Sequence, residues 1–335
     1  MNATYLARRL LLAIPTLAGV AVIVFVLLRV VPGDPIAMMI PPGAGEDDIE
    51  RLRALYGLDL PIWQQFLAWL GDVAVGDFGT SISLRQNVLG LVLSRLPATL
   101  ELAAVAMLLA LAIGLTLGLV ATRWRGHWPE AGTDGIVGLA LAVPDFLWAL
   151  VFVLLLGVAW PVLPISGRLD PRLGLEFTTS FYLIESLVTG RFAVAGMLLS
   201  HLLLPATALA LPLASVIARV LKTSMAEVMG EDYILMARVK GFGAWRVILG
   251  EALRNALIPT VTLSGVQFTF LVGGTVLIER IFSYPGIGNM AIGAVIERDL
   301  PLIQGLILTF AVLFIAVNLI IDMAMVWLDP RVRHG

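Results

Sequence analysis

Long uncharged stretches alternate with short charged ones along the whole chain. Six stretches reach the roughly 20 apolar residues that a membrane-spanning helix needs: residues 10–28, 102–122, about 135–158, and 300–321, with two more inside 192–218 and 255–278. The third carries a single charge, Asp145, directly after Pro144, and the sixth ends at Asp322. A bilayer core has no water to satisfy an open backbone, so each stretch is expected as an α-helix. The expected architecture is an all-α polytopic membrane protein, one transmembrane domain over residues 1–335.

The first stretch follows Arg8-Arg9, as a signal peptide would. It is longer than the ~7–15 residues of a signal core, and no small-x-small cleavage site follows, so it is expected as a retained helix. Composition agrees with the pattern. Hydrophobic residues make up 59% and charged residues 14%, against about 25% charged in soluble domains. The mean hydropathy is +0.95. A soluble enzyme, a disordered chain and a nucleic-acid binder are excluded on this ground. The net charge of −2 supplies no field for polyanions. The chain has no cysteine, which excludes disulfides, thiolate metal sites and cysteine nucleophiles.

Basic residues set the orientation. Arg8, Arg9, Arg123, Arg125, Arg219, Arg331, Arg333 and both lysines fall on one side if the N-terminus is inside. The external loop 31–97 is long enough to cross regardless of its own charges. Six spans with both termini in the cytoplasm are expected. Within 31–97, the segments 47–53 and 60–69 read as short amphipathic helices, the second with aromatic residues suited to a membrane interface. A second external loop, about 161–191, is rich in proline and glycine.

Several chemistries are missing. There is no phosphate-cradling Gly-x-x-x-x-Gly-Lys-Ser/Thr, no His-Glu-x-x-His and no Gly-x-Ser-x-Gly. No catalytic, cofactor-binding or metal site is expected in this chain. Intramembrane charge is sparse, which disfavours a proton-driven secondary transporter. A charge at mid-membrane must face protein or water, so Asp145, Glu279 and Asp322 are the candidate path or gate residues. For Asp145 the alternative is a carboxyl satisfied near the Pro144 kink, and for Glu279 an ordinary interface charge. Gly265, Gly273 and Gly274 read as sites of close helix approach.

The cytoplasmic segment 221–256 is the most informative. In Glu231-Asp232-Tyr233-Ile234-Leu235-Met236-Ala237-Arg238-Val239-Lys240-Gly241, Asp232 is a plausible N-cap and Gly241 a plausible left-handed C-terminal residue. After Gly241-Phe242-Gly243, apolar positions Val247, Ile248, Ala252, Leu253 and Leu257 repeat at helical spacing, and Pro259 is expected to open span five. Two helices joined by a glycine elbow suit a groove in a soluble partner. A solvated loop packed on its own bundle is the alternative.

This segment resembles the ATPase-docking loop of ABC importer permeases in its peptide-permease form. Tyr233-Ile234, Ala237-Arg238-Val239-Lys240-Gly241 and Ala252-Leu253-Arg254-Asn255-Ala256-Leu257-Ile258-Pro259 carry the resemblance, with Leu235-Met236-Ala237 in place of the general Glu-Ala-Ala. The chain as a whole is similar to the B-type subunit of dipeptide and oligopeptide permeases. Further motifs are Arg29-Val30-Val31-Pro32-Gly33-Asp34-Pro35, Gly76-Asp77-Phe78-Gly79-Thr80-Ser81, Leu96-Pro97-Ala98-Thr99-Leu100-Glu101, Pro285-Gly286-Ile287-Gly288, and Asp329-Pro330-Arg331. The resemblance implies an ABC type I importer-like permease fold and a non-catalytic role. It also implies a homologous second permease, two partner ATPases that bind ATP and magnesium, and an external binding protein. It assigns docking to Tyr233, Ala237, Arg238, Lys240, Gly241, Arg254 and Pro259, with Ala237 small against the ATPase and Gly241 making the turn. Nickel chelates or heme are alternative solutes.

Overall fold

The computed structural model describes the backbone of residues 3–30, 45 and 59–328 and the side chains of most of these. The expectations for 47–53, for Val31-Pro32-Gly33-Asp34-Pro35 and for Asp329-Pro330-Arg331 lie outside the described residues. The elements, in chain order, are α1 (Ala3–Val30), α2 (Ile62–Ala74), α3 (Val88–Arg123), α4 (Trp128–Ala142), α5 (Asp145–Phe152), α6 (Tyr182–Val188), α7 (Phe192–Val228), α8 (Asp232–Val239), α9 (Ala244–Ile281), α10 (Ile287–Ile296) and α11 (Leu300–Leu328). Thr80 and Asn87 form an isolated β-bridge. Among the described residues, α1, α3, α7, α9 and α11 are each long and apolar enough to cross a membrane.

The third stretch is not one straight helix. α4 and the helix continuing α5 to Ala159 meet at a bend of 101°. Pro144 offers no N–H and pushes the residue before it out of the helical region. Val143 accordingly sits at φ −99°, ψ 123°. Other boundaries also moved. α3 runs straight through Pro97, and α7 reaches Val228, beyond the expected end at 218. Asp322 lies within α11 and not at its end.

The chain forms two compact units, Met1–Leu96 with Asn289–Ala316, and Pro97–Gly288 with Val317–Gly335. In the first unit, Phe25 of α1 packs edge-on against Phe66 of α2 at 5.1 Å and lies 5.5 Å from Trp69. Arg29 donates from Nε to Gln65 at 3.1 Å. The amphipathic helix expected over 60–69 is therefore present and fastened to α1. The Asp299 carboxylate accepts from Ser81 Oγ at 2.6 Å, Ser83 Oγ at 2.8 Å and Ser83 N at 2.9 Å, and so ties down the turn before α3. Burial opposes ionisation of Asp299, but these hydrogen bonds outweigh it and hold the carboxyl below its usual value.

In the second unit α7 is central, packed against α4, α5, α6 and α9. Its contact with α3 depends on Gly114 and Gly118, four residues apart. A Cβ at Gly114 would lie 2.7 Å from the Ala214 carbonyl oxygen, and one at Gly118 would lie 2.9 Å from Leu221. Small residues at this spacing let membrane helices approach backbone to backbone.

Candidate functional site

The expected docking segment is a helix pair, but its parts differ from the sequence reading. α8 starts after Glu231, not Asp232, and no side chain caps it. Its end is as expected. Gly241 has φ +79°, its N–H donates to Arg238 O at 2.9 Å, and Phe242 N–H donates to Ala237 O at 3.2 Å. This is the paired hydrogen bonding of a Schellman stop, which requires a left-handed residue between the two donors' acceptors and the next segment. The second helix is not separate. Ala244 starts a single helix to Ile281, with a wider π-type turn over Val247–Ala252. Pro259 does not open span five; it is an exposed residue inside that helix.

Burial assigns the faces of α8. Ile234 and Ala237 are buried against Leu221 and Met225 of α7 and Val247, Ile248, Ala252 and Ala256 of α9. Ala237 is therefore a residue whose small side chain fits the contact of α8 with its own bundle. Tyr233 accepts a hydrogen bond from Asn255 Nδ2 at 2.7 Å, a tie to α9. The outward face carries Leu235 at 61%, Met236 at 57% and Val239 at 76% exposure, beside exposed Arg238 and Lys240. Arg254 is exposed on α9. Leu235, Met236 and Val239 are apolar residues off the Ile234/Ala237 stripe, a signal in the sequence for this second apolar face. Movement of α8 has a direct route into the bundle, because its buried face grips α7 and α9 together.

Lys222, one of the basic residues counted for orientation, is clamped by α4. Its Nζ lies 2.7 Å from Asp134 and 2.8 Å from Glu130.

The bend at Pro144 places Asp145 at the start of α5, where its Oδ1 accepts from Phe146 N at 2.7 Å. Asp145 borders an open pocket of about 330 Å³ between α4, α5, α7 and α9, which Gln267 and Gly274 also line.

Glu279, a candidate path or gate residue or interface charge from the sequence, lies inside the fold near the end of α9. It is fully buried. Thr99 donates to Glu279 Oε1 at 2.6 Å, and Ile287 N–H donates to Thr99 Oγ1 at 2.9 Å. Gly286 folds so close over the carboxylate that a Cβ there would collide with it. Nearby, Arg168 forms a buried ion pair with Glu101 at 2.6 Å and stacks on Tyr182 at 3.9 Å. Tyr284, wholly enclosed beside Arg168, has its hydroxyl pKa pushed up by burial. This polar core joins α3, α9 and the loop after α9, and Glu279 is part of it. Asp322 is half-buried on α11. One turn earlier, Asn318 accepts from Thr269 of α9 at 3.3 Å. The structure brings Asp145, Glu279 and Asp322 to three different places.

The comparisons with known proteins agree with one another. The family described as binding-protein-dependent transport system inner membrane component matches residues 114–334, and its N-terminal companion family matches residues 2–103. The di/tripeptide transport system permease protein DppB of Pseudomonas aeruginosa (strain UCBPP-PA14) is 41% identical over 99% of both chains. The dipeptide transport system permease protein DppB of Escherichia coli (strain K12) is 39% identical over 98% of both. Among solved structures, the MetNI methionine ABC transporter in an inward facing form superposes with a TM-score of 0.53 at 16% identity. That match covers 71% of this chain and 96% of the other, and it supports the permease fold. The exposed-face helix pair, the bent third span and the long apolar helices thus stand in a chain that belongs to the family of binding-protein-dependent transport system inner membrane components.

Proposed function

We propose that this chain is the membrane permease subunit of an ATP-driven importer of di- or oligopeptides. The observation that carries the reading is the full-length identity of 41% to a protein named as a di/tripeptide permease. It lies in the cytoplasmic membrane with both termini inside, paired with a homologous permease. An external binding protein delivers the peptide. Two ATPase subunits bind ATP and magnesium and receive α8 in a groove.

The geometry supports a definite division of labour in α8. Leu235, Met236 and Val239 enter the groove, with Arg238 and Lys240 at its rim, while Ile234 and Ala237 hold α8 to α7 and α9. Tyr233 and Asn255 fix its angle, and Gly241 fixes the elbow. ATP-driven closure of the ATPases moves α8, and α7 and α9 follow as rigid bodies. The nucleotide biases a two-state element and this chain catalyses no bond cleavage.

The test is uptake of radiolabelled Ala-Ala by cells from which the gene is deleted and then restored. Restored uptake that requires ATP and the binding protein supports the reading. Uptake indifferent to the deletion, in cells whose other peptide importers are removed, contradicts it.

A further inference from the structure

The cavity at the broken third span has two polar side chains among apolar walls. Asp145 reaches it from the start of α5 and Gln267 from α9; Leu213, Phe270 and Leu271 supply much of the rest. It is an open pocket, and its volume of about 330 Å³ is at the lower end of the range of small-molecule pockets, which are typically apolar with a few convergent polar groups. Gly274 keeps it open. A Cβ there would meet only Asp145 Oδ2, at 3.9 Å.

Among the described residues, no basic side chain pairs with Asp145. No lysine, arginine or histidine lines the cavity, and the one hydrogen bond to the carboxylate is the adjacent Phe146 N–H. A carboxylate at membrane depth faces protein or water, and such residues pair with a cation or mark a transport route. The N-terminus of α5 stabilises the anion partly, and that leaves most of its acceptor capacity directed into the cavity. A metal ion does not fit: among the described residues no group of three acidic or histidine side chains gathers anywhere. The complementary ligand is a compact organic cation with apolar substituents.

We propose that this cavity is a peptide subsite in the permease itself, in which Asp145 accepts the α-ammonium group of the peptide and Gln267 a neighbouring amide. The proposal rests on the peptide-importer reading above. The bend at Pro144 then has a purpose in transport: it sets the carboxylate at the N-terminus of α5, with the helix dipole behind it.

The experiment uses the assembled complex, without binding protein, in lipid nanodiscs, and measures equilibrium binding of radiolabelled Ala-Ala and of N-acetyl-Ala-Ala. Assembly is checked on native gels for D145N, D145E and G274V. The wild type is expected to bind Ala-Ala more tightly than the acetylated form. D145N weakens Ala-Ala binding ~10–100-fold, the size of a lost charge-assisted hydrogen bond, and abolishes the preference. D145E retains the preference, and G274V, which fills the cavity and keeps the carboxylate, weakens both ligands. Saturable binding that is equal in wild type and D145N, equal for both peptides, or absent altogether overturns the subsite. Uptake of Ala-Ala by the wild-type complex with its binding protein is measured in parallel. Uptake without binding sinks the subsite alone, whereas no uptake sinks the peptide reading and the subsite with it.

Discussion

Thr99 and Glu279 stand 180 residues apart, yet the threonine hydroxyl donates to the glutamate carboxylate across 2.6 Å with both side chains fully buried. The Leu96-Pro97-Ala98-Thr99 and Pro285-Gly286-Ile287-Gly288 motifs meet at this bond. Thr99→Val leaves a buried carboxylate short of a donor and is expected to destabilise the protein by ~1–3 kcal/mol. Glu279→Gln keeps an acceptor for Thr99 and costs less. Thermal unfolding of the purified protein in detergent, read by tryptophan fluorescence, gives both values; equal melting of Thr99→Val and wild type would show the bond to be dispensable.

The Glu101–Arg168 pair, at 6% side-chain exposure or less on both sides, gives a second stability test. Arg168→Met strands Glu101, which also accepts from Leu183 N–H at 2.9 Å, and costs ~3–5 kcal/mol. Adding Glu101→Gln removes the stranded charge and recovers part of the loss. A double variant no better than the single one argues against an uncompensated charge as the cause.

Glu185 governs a pH-dependent loop. Hydrogen bonds from Thr178 N–H first, then from the Thr179 hydroxyl, lower its pKa from 4.5 to about 2. A depressed carboxyl pKa contributes stability that is fully present above the unfolded value and lost as pH falls through the folded value. The difference in melting temperature between wild type and Glu185→Gln is therefore constant above pH ~4.5 and closes between ~4.5 and 2. A difference that persists unchanged at pH 2 contradicts the assignment.

On α8, buried and exposed positions are expected to fail differently. Ala237→Leu overpacks the contact with Met225 and Ala252 and destabilises by ~1–3 kcal/mol. Leu235→Asp with Val239→Asp leaves melting unchanged, because both side chains point outward, but loses ATPase subunits on purification. Loss of stability without loss of ATPases in that double variant would place the partner elsewhere.

Gly241→Val forces a β-branched side chain into a left-handed backbone, a strain of ~1–2 kcal/mol. No neighbour lies within 4 Å of the added Cβ, so the effect is on the elbow alone. Insertion and assembly survive, whereas ATP hydrolysis proceeds without matching peptide uptake. Normal coupling, measured as peptide imported per ATP hydrolysed in proteoliposomes, would show the elbow to be unimportant.

Much of this was legible in the sequence, because membrane helices announce themselves by uninterrupted apolar runs and the Gly241 stop by its neighbours. What was not legible depended on contacts distant in sequence. A glutamate near a helix end reads as a surface charge, and only Thr99 and Gly286, brought from other segments, reveal Glu279 as buried. Pro144 signalled a break but not its 101° angle, which packing of α5 against α7 and α9 fixes. α8 is apolar around much of its circumference, so periodicity alone did not separate Ile234 and Ala237, which pack inward, from Leu235, Met236 and Val239, which face out. Pro259 misled in the opposite direction, since a long helix with a π-type turn upstream absorbs it.

The central claim, that this chain is one half of a coupled importer driven through α8, is tested most directly by purifying the tagged chain from its native host in mild detergent. The account predicts that two ATPase subunits and one homologous permease follow it in stoichiometric amounts, and that the Leu235→Asp, Val239→Asp variant retains the permease but not the ATPases. A chain that arrives alone, under conditions that preserve other importer complexes, would contradict it.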